Sequence, residues 1–330
     1  MGSITHLNER LRTVPQQLAA DDQVVAAAEQ IAAFSRDADV ETVLDQVARV
    51  GLLAISIPSE FGGADLPNDV IARAVSIISG PYPRAGLALS SHFAALEFVR
   101  TSGTEEQRRG VYGRAALGEL FQLVAPEADE RRPLCRNDGI GYGLFVRPGI
   151  ELPVQHGWIA FSAVRETGGE VLALVAHNQL HSLTAPENAS DPEGGATGVH
   201  VPGDNVLTAG AGAARLAASL ATLLDAAVLL GELAGDSARE GSARLPVTDP
   251  AEAGRSFMNL QVLQALMLRV ASALDAVQVG AEAGVGYGGV ASLAGTLEVL
   301  VARLRGDPPT REEELLARIG AELANGNTAS

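Results

Sequence analysis

The sequence contains no lysine, and all 24 of its basic residues are arginines. Mechanisms that need a lysine nucleophile or a lysine Schiff base are therefore excluded. The only cysteine, Cys135, has no second cysteine with which to form an internal disulfide. No segment near the N-terminus combines basic charge, an apolar run and a small-residue cleavage site. We therefore expect a cytoplasmic protein.

Positive charge is scarce throughout, and the formal net charge is −16. Such a chain repels phosphate backbones and anionic lipid headgroups, and no arginine cluster is long enough to offset this. The longest apolar stretch, Leu216–Leu233, contains Asp225 and Glu232 and is typical of a buried helix rather than of a membrane span. We expect neither nucleic acid nor a membrane as a partner.

Aromatic residues make up only 4% of the chain, whereas alanine, valine and leucine recur everywhere. This composition favours closely packed helices. Apolar residues at three- and four-residue spacing predict four helices before residue 100, at Val24–Phe34, Val40–Val50, Val70–Ile78 and Gly86–Val99. A further helix is predicted from the capping-box sequence Thr104–Gln107 to about Leu117.

The middle of the chain has a different pattern. Between residues 119 and 207 short alternating or β-branched runs are separated by Gly, Pro, Asn and Asp, and Glu166–Gly169 has the composition of a hairpin turn. Helical periodicity returns from Ala209 onward. We therefore predict a mainly α protein with a small central β domain, divided into residues 1–118, 119–207 and 208–330. The nearly all-apolar segment Leu216–Leu230 predicts packing against another subunit, in a dimer or tetramer.

Two motifs in the N-terminal half carry a family resemblance. They are Gly51–Gly63, with its turn around Pro58, and Ser91–Gln107 at the expected distance. With the order of helical, β and helical blocks, they resemble the acyl-CoA dehydrogenase family. The resemblance implies an N-terminal helical domain, a β-barrel-like middle domain, a C-terminal helical bundle and a bound FAD. The substrate class that it implies is an acyl-CoA or a carrier-bound thioester.

The second motif is closer to the flavin-dependent monooxygenase branch of this family, which includes sulfur-compound oxidising enzymes. On that resemblance His92 is the candidate catalytic residue, a polar group in an active-site cavity. The alternative is a core histidine with a satisfied hydrogen bond.

The C-terminal half resembles the family at Gln278–Tyr287, where the backbone of a glycine-rich turn meets the diphosphate of a flavin bound mainly by a neighbouring subunit. The cofactor-binding residues that this resemblance implies are Gln278, Gly284, Gly286, Tyr287, Thr296 and Glu298. The alternative is that the glycines only end one helix and begin another. At the start of the β block Val124 and Ala125 replace the family's threonine and glutamate. The next family motif, which carries an aromatic residue against the flavin, falls at residues 145–156.

The stretch Ser292–Gly306 resembles the closing motif of the family, but Ala294 stands where the family has its catalytic glutamate. Some members carry the base on the first C-terminal helix, near Ala214, and no acidic residue occurs there either. An alanine methyl group can neither accept nor deliver a proton. A metal site is not expected, because His177 and His181 lie in a segment with a strand-and-loop pattern.

Three hypotheses follow. The chain is a subunit that supports α,β-desaturation of an acyl thioester together with a catalytic homologue, as part of a hetero-oligomer or a homo-oligomer. Alternatively, it is a monooxygenase-like or repurposed biosynthetic enzyme that uses His92. In the third hypothesis it is a non-enzymatic oligomeric binding protein that has lost flavin.

Overall fold

The computed structural model describes residues 15–35, 37–125, 132–146, 150, 157–184, 197–210, 212–239, 250–280 and 286–326. The chain divides into two compact units, each built from two separate stretches of sequence. Unit 1 comprises Met1–Leu66 and Ser102–Gly210. Unit 2 comprises Pro67–Thr101 and Ala211–Ser330.

The elements in the described residues follow the predicted order of helical, β and helical blocks. The α-helices are α1 (Asp21–Ala32), α2 (Val40–Arg49), α3 (Asn68–Ser79), α4 (Pro83–Arg100), α5 (Glu105–Ala116), α6 (Ala213–Arg239), α7 (Pro250–Gln278), α8 (Tyr287–Arg305) and α9 (Pro309–Gly326). The strands are β1 (Phe121–Val124), β2 (Leu134–Asn137), β3 (Gly141–Val146), β4 (Trp158–Arg165), β5 (Glu170–Ala176), β6 (Thr197–Pro202) and β7 (Val206–Thr208). The predicted mainly α fold with a central β block is confirmed.

The strands of unit 1 form one sheet in the order β6-β3-β2-β4-β5-β7, and β1 pairs in parallel with β4. Alternation along β4 turns Ile159, Phe161 and Ala163 to the core, where each is at most 1% exposed. Matching side chains from the other strands complete one apolar cluster on this face. The sheet curls around that cluster, as predicted for a barrel-like middle domain.

Two local predictions in unit 1 are confirmed by hydrogen bonds. Thr104 caps α5 reciprocally with Gln107, at 3.3 Å from the Gln107 amide to the threonine hydroxyl and 2.9 Å from the Thr104 amide to the glutamine side chain. The β4–β5 hairpin is closed by the Arg165 amide, which donates to the Gly169 carbonyl at 2.9 Å. Gly168 and Gly169 both have positive φ, which the tight turn requires.

Unit 2 is a bundle in which α6 lies at the centre. The α6 side chains of Leu216, Leu220, Leu223 and Leu224 are all at most 2% exposed. The apolar segment Leu216–Leu230 is therefore covered mostly by the chain's own helices, and the prediction that it packs against another subunit is wrong. Its all-round apolar character reflects a central helix surrounded by neighbours.

Two helices are long and apolar enough to cross a membrane by length and composition, within the described part of the chain. They are Ala213–Gly235, of which 61% is buried, and Phe257–Gln278, of which 28% is buried. Core helices of soluble proteins pass the same test.

Candidate functional site

Ala294, which the resemblance aligns with the family's catalytic glutamate, lies on the inward face of α8 and is 4% exposed. Val290, Leu297 and Val301 share this face at helical spacing and are buried as well. The position is thus part of an apolar packing stripe. A methyl group suits that environment, whereas a carboxylate there would lose its hydration.

Gln278, a predicted cofactor-binding residue, instead lies in a polar network inside unit 2. Its side-chain amide donates to the Glu97 carboxylate at 2.6 Å, and its carbonyl oxygen accepts from the Asn68 amide at 2.9 Å. Arg100 donates to the same Glu97 oxygen at 3.2 Å. Glu97 is only 3% exposed, and Asn68 only 2%. The network therefore holds a buried carboxylate with an amide and a guanidinium.

Asp275 extends this network to the start of α3. Its carboxylate accepts two bonds from Asn68, at 2.6 Å from the side-chain amide and 3.0 Å from the backbone amide. Burial raises the pKa of Asp275, although the bonds from Asn68 oppose that rise. Asn68 thereby joins the first turn of α3 to the last turn of α7.

The network residues Asn68 and Glu97 have little sequence signature as functional residues. Glu97 is the one acidic residue in the apolar segment Gly86–Val99, and that isolated charge is the signal that could have identified it. Asn68 follows Pro67 at the start of a helix, a position where asparagine is ordinary.

His92 is completely buried in α4, at 0% exposed. Its ring contacts that of Phe93 edge-on, with 5.3 Å between centroids. It lines neither the cleft beside α5 nor the groove between α3, α6 and α7 that are described below. Its catalytic role remains a prediction, in surroundings that also suit a core histidine.

A second partly buried carboxylate, Asp225 of α6, accepts a hydrogen bond from the Ser90 hydroxyl at 2.8 Å. Burial is the main cause that raises the pKa of Asp225, and Glu298 raises it further, whereas Ser90 and Arg305 lower it. Ser90 bonds directly to this carboxylate with no histidine between them. The pair therefore does not have the geometry of a nucleophilic triad.

The raised pKa of Asp225 predicts a pH dependence of stability. The native state keeps its proton at pH values where the unfolded chain has lost it, so the free energy of unfolding falls as pH rises from the ordinary pKa through the raised one. Asp225→Asn keeps an acceptor for Ser90 and removes the ionisation. We expect this variant to be more stable than the wild type at pH 7 and to show a shallower decline in urea unfolding measured from pH 4 to pH 8. Asp307→Asn, at an exposed position, is the control, and an equal change there would contradict the prediction.

The remaining predicted cofactor residues lie in or before α8. Thr296 donates to the Ser292 carbonyl one turn earlier at 3.0 Å. Glu298 is paired with Arg311, at 3.4 Å, and with Arg318 of α9. The side-chain polar groups of both residues are thus already used by contacts within unit 2.

Gly286 precedes α8 as its N-cap, and a Cβ added there would meet nothing within 4 Å. Tyr287 is 39% exposed, and its ring lies against Gly212, where an added Cβ would approach it to 2.9 Å. Gly284 lies outside the described residues. Among the described cofactor-binding residues predicted from the sequence, Gly286 and Tyr287 therefore remain open to a ligand. Together these residues fit an incomplete flavin site.

Unit 1 contains a separate cleft of about 470 Å³ between α5 and the sheet. Trp158 lies in it, with the Arg114 guanidinium 4.4 Å from the centre of its ring and its indole N–H donating to Glu119 at 2.5 Å. On the same side, Phe121 stacks beside the indole with 6.1 Å between centroids. Gln107 closes the rim by donating to two backbone carbonyls. Gln107 thus joins α5 to the residues around β7, and Arg114 joins α5 to the ring of Trp158.

The family motif with an aromatic residue against the flavin was assigned to residues 145–156, of which only 145, 146 and 150 are among the described residues. Phe145 lies in β3, which pairs with β2 and β6. The strand beside β1 is β4, and Phe121 pairs with Trp158. Trp158 is the only tryptophan in the chain, which was a signal for it in the sequence.

Comparison with known proteins supports the resemblance seen in the motifs. Residues 8–119 match the acyl-CoA dehydrogenase N-terminal domain. A curated relative is the probable acyl-CoA dehydrogenase FadE10 of Mycobacterium tuberculosis (strain ATCC 25618 / H37Rv), 27% identical over 124 residues. That match covers 34% of this chain and only 19% of the relative, so the chain matches about a fifth of the relative's length.

Solved structures match over nearly the whole chain. The methanesulfinate monooxygenase MsuC from Pseudomonas fluorescens has a TM-score of 0.66 at 20% identity, covering 90% of this chain and 86% of its own. A steroid ACAD named Tcur3481-Tcur3483 has a TM-score of 0.59 at 19% identity, covering 94% of this chain and 99% of its own. The chain has the acyl-CoA dehydrogenase fold. Its resemblance to the acyl-CoA dehydrogenase family is confirmed.

Proposed function

We propose that this chain is a cytoplasmic acyl-CoA dehydrogenase-like subunit that does not provide the catalytic base and supports desaturation of an acyl thioester together with a catalytic homologue. The observation that carries the proposal is Ala294. The residue has no ionisable group, and its side chain is packed in the apolar stripe of α8. Position 294 therefore holds a side chain that packs between helices and cannot remove a proton.

The other acids near the predicted site are already held by partners in unit 2. Glu97 is bonded to Gln278 and Arg100, Asp225 to Ser90, and Asp275 to Asn68. In each of these carboxylates one oxygen accepts the hydrogen bonds from the partners, which orients and stabilises the group. These three groups support the buried structure of unit 2, and the proposal assigns none of them the role of general base.

A bound flavin supplies the hydride acceptor in this class of reaction. The chain's own contribution is the backbone before α8, where Gly286 leaves open space beside the helix N-terminus and Tyr287 forms an exposed aromatic edge. Gln278, Thr296 and Glu298 are used within the chain. These observations support a contribution to a shared flavin site rather than a complete site in this chain.

The similarity to the steroid ACAD supports an assembly of two polypeptides, because the name of that protein joins two and the match covers 99% of its chain. We therefore include steroid side-chain thioesters of coenzyme A among the substrates to be tested. The similarity to MsuC supports a second function, a flavin-dependent monooxygenase. In that case the buried His92 would be required.

The test is to purify the chain alone and co-expressed with a full-length acyl-CoA dehydrogenase homologue. We expect the lone chain to hold little flavin, and its desaturation rate to be lower than that of the complex by on the order of 10²–10⁴-fold. Flavin absorbance per polypeptide and desaturation of a panel of acyl thioesters are the measurements. A homologue whose own catalytic glutamate is replaced by glutamine is the control, since it should inactivate the complex.

Flavin content and desaturation that are as high in the lone chain as in the complex would contradict the proposal. Oxygen-dependent turnover by the lone chain with reduced flavin, abolished in a folded His92→Gln variant, would support the monooxygenase instead. An absence of flavin in every preparation, with no complex formed, would support the non-enzymatic hypothesis.

A further inference from the structure

Four of the exposed large apolar residues of unit 2 lie on one helix, α7. Phe257 is 64% exposed, Met258 61%, Val262 49% and Leu268 57%. On the opposite side of the same helix, side chains such as Leu263 are buried in the bundle. The helix therefore presents one apolar face inward and a second apolar face to solvent. We call the four exposed residues the α7 stripe.

The stripe lies in the longest part of this helix without negative charge. No aspartate or glutamate occurs from Gly254 to Leu274, in a chain whose net charge is −16. Arg269 is exposed, directly follows Leu268, and lies on the same side of the helix as Met258 and Val262. The surroundings of the stripe are thus apolar and positive, on a protein that is otherwise strongly acidic.

A groove of about 210 Å³ runs along one side of the stripe, between α3, α6 and α7. Its floor is mostly apolar and includes Ala72, Leu230 and Met267, and Leu268 forms its edge. Asp69 and Arg73 of α3 also line the groove, and both are exposed. A side chain from a partner can enter this groove while the rest of the partner covers the stripe, which is the arrangement of an interface hot spot.

We propose that the α7 stripe and its groove are the docking surface for the catalytic homologue, which contacts them with an apolar helix flanked by carboxylates. This inference rests on the proposed function and identifies where the two polypeptides meet. Charge favours an acidic partner, since the two exposed arginines Arg269 and Arg73 outnumber the one exposed carboxylate of the groove, Asp69. The stripe spans about 16 Å of helix. It is therefore the centre of an interface whose polar rim extends over α3, because stable complexes bury about 800 Å² per partner.

A second copy of this chain fits the surface less well. A symmetric contact through α7 brings two copies of Arg269 together, and each copy supplies from this groove only the carboxylate of Asp69 against Arg269 and Arg73. An anionic lipid surface is disfavoured by the net charge of −16. The acidic helix of a different polypeptide satisfies both the apolar stripe and the arginines.

The experiment compares binding of the co-expressed homologue to the wild type and to a Met258→Asp/Val262→Asp variant. Both side chains are exposed, so the variant should keep the circular dichroism spectrum and melting temperature of the lone chain. We expect its dissociation constant, measured by titration calorimetry, to rise by about 100-fold. Arg269→Glu should weaken binding by about tenfold and reduce its dependence on salt. Ile140→Asp, at a position that is 87% exposed in unit 1, is the matched control and should bind as the wild type does.

The outcomes separate this inference from the proposed function. If the double variant binds the homologue with wild-type affinity and the complex still desaturates its substrate, the proposed docking surface is contradicted and the proposed function is not. No complex with the wild-type chain would contradict both. Sedimentation of the wild type as a homodimer, and of Met258→Asp/Val262→Asp as a monomer, would show that a second copy of the chain occupies the surface. Flotation of the chain with phosphatidylserine vesicles would show that a membrane does so.

Discussion

Replacement of Ala294 by glutamate is expected to lower the free energy of unfolding by about 3–5 kcal/mol, the range found when a charge is buried without a partner. The side chain would enter the face of α8 that contains Val290, Leu297 and Val301. No desaturation activity should appear, because the carboxylate would point into the bundle. The prediction therefore distinguishes two cases. In one, apolar packing around position 294 excludes a carboxylate; in the other, the surroundings still accept a carboxylate and only the side chain has changed.

Urea unfolding of the lone chain at several pH values is the measurement. Burial raises the native-state pKa of the introduced glutamate, so the loss of stability is complete above that raised pKa. It fades as the pH falls toward the ordinary value of about 4.3. Ala317→Glu, at an exposed position in α9, is the control and should change stability by no more than about 0.5 kcal/mol. A stable Ala294→Glu protein that gains base-dependent turnover would sink the packing argument and the proposed role.

Elements that depend on near neighbours in the sequence were predictable. The capping box at Thr104 needs only Gln107 three residues later, and the β4–β5 hairpin needs only its two glycines. Helical periodicity likewise reports the local pattern of apolar residues. Each of these signals is complete within a few residues, so no tertiary information was needed.

The polar network is different because its members are far apart in the chain. Asn68 and Asp275 are separated by 207 positions, and Gln278 and Glu97 by 181. Nothing in the sequence around Gln278 distinguishes an amide that contacts a diphosphate from one that stabilises a buried carboxylate. The resemblance to a family motif indicated the first role, and the structure shows the second kind of contact.

Hydrophobicity alone also did not distinguish a buried helix from an exposed one. The segment Leu216–Leu230 is more apolar than Phe257–Leu268, but it is the central helix of the bundle. Burial depends on how many neighbours surround a helix, which composition does not reveal. The informative signal was charge, since α7 combines exposed apolar residues with an acid-free stretch in an acidic chain.

Replacement of Gly231 by alanine is expected to destabilise the protein by about 2 kcal/mol or more, in the upper part of the range for overpacking. A Cβ at Gly231 would lie 2.1 Å from the Ser76 carbonyl oxygen and 2.9 Å from the Ser79 Cβ. Nearby, a Cβ at Gly235 would lie 2.5 Å from the Gly80 carbonyl oxygen. These contacts are with backbone, so relief requires α3 and α6 to separate. That loss exceeds the gain of about 1 kcal/mol that alanine brings inside a helix.

Chemical denaturation of Gly231→Ala beside Gly254→Ala measures the effect, since a Cβ at Gly254 in α7 would meet nothing within 4 Å. The control should be unchanged or more stable by up to about 1 kcal/mol. Equal stabilisation of both variants would show that α3 and α6 are not in backbone contact in solution. The same contact sets the position of α3, which carries Asn68 and Arg73. Gly231→Ala should therefore also weaken binding of the catalytic homologue. Gly231 itself lies in the buried crossing of α3 and α6 and is not part of the exposed face of α7.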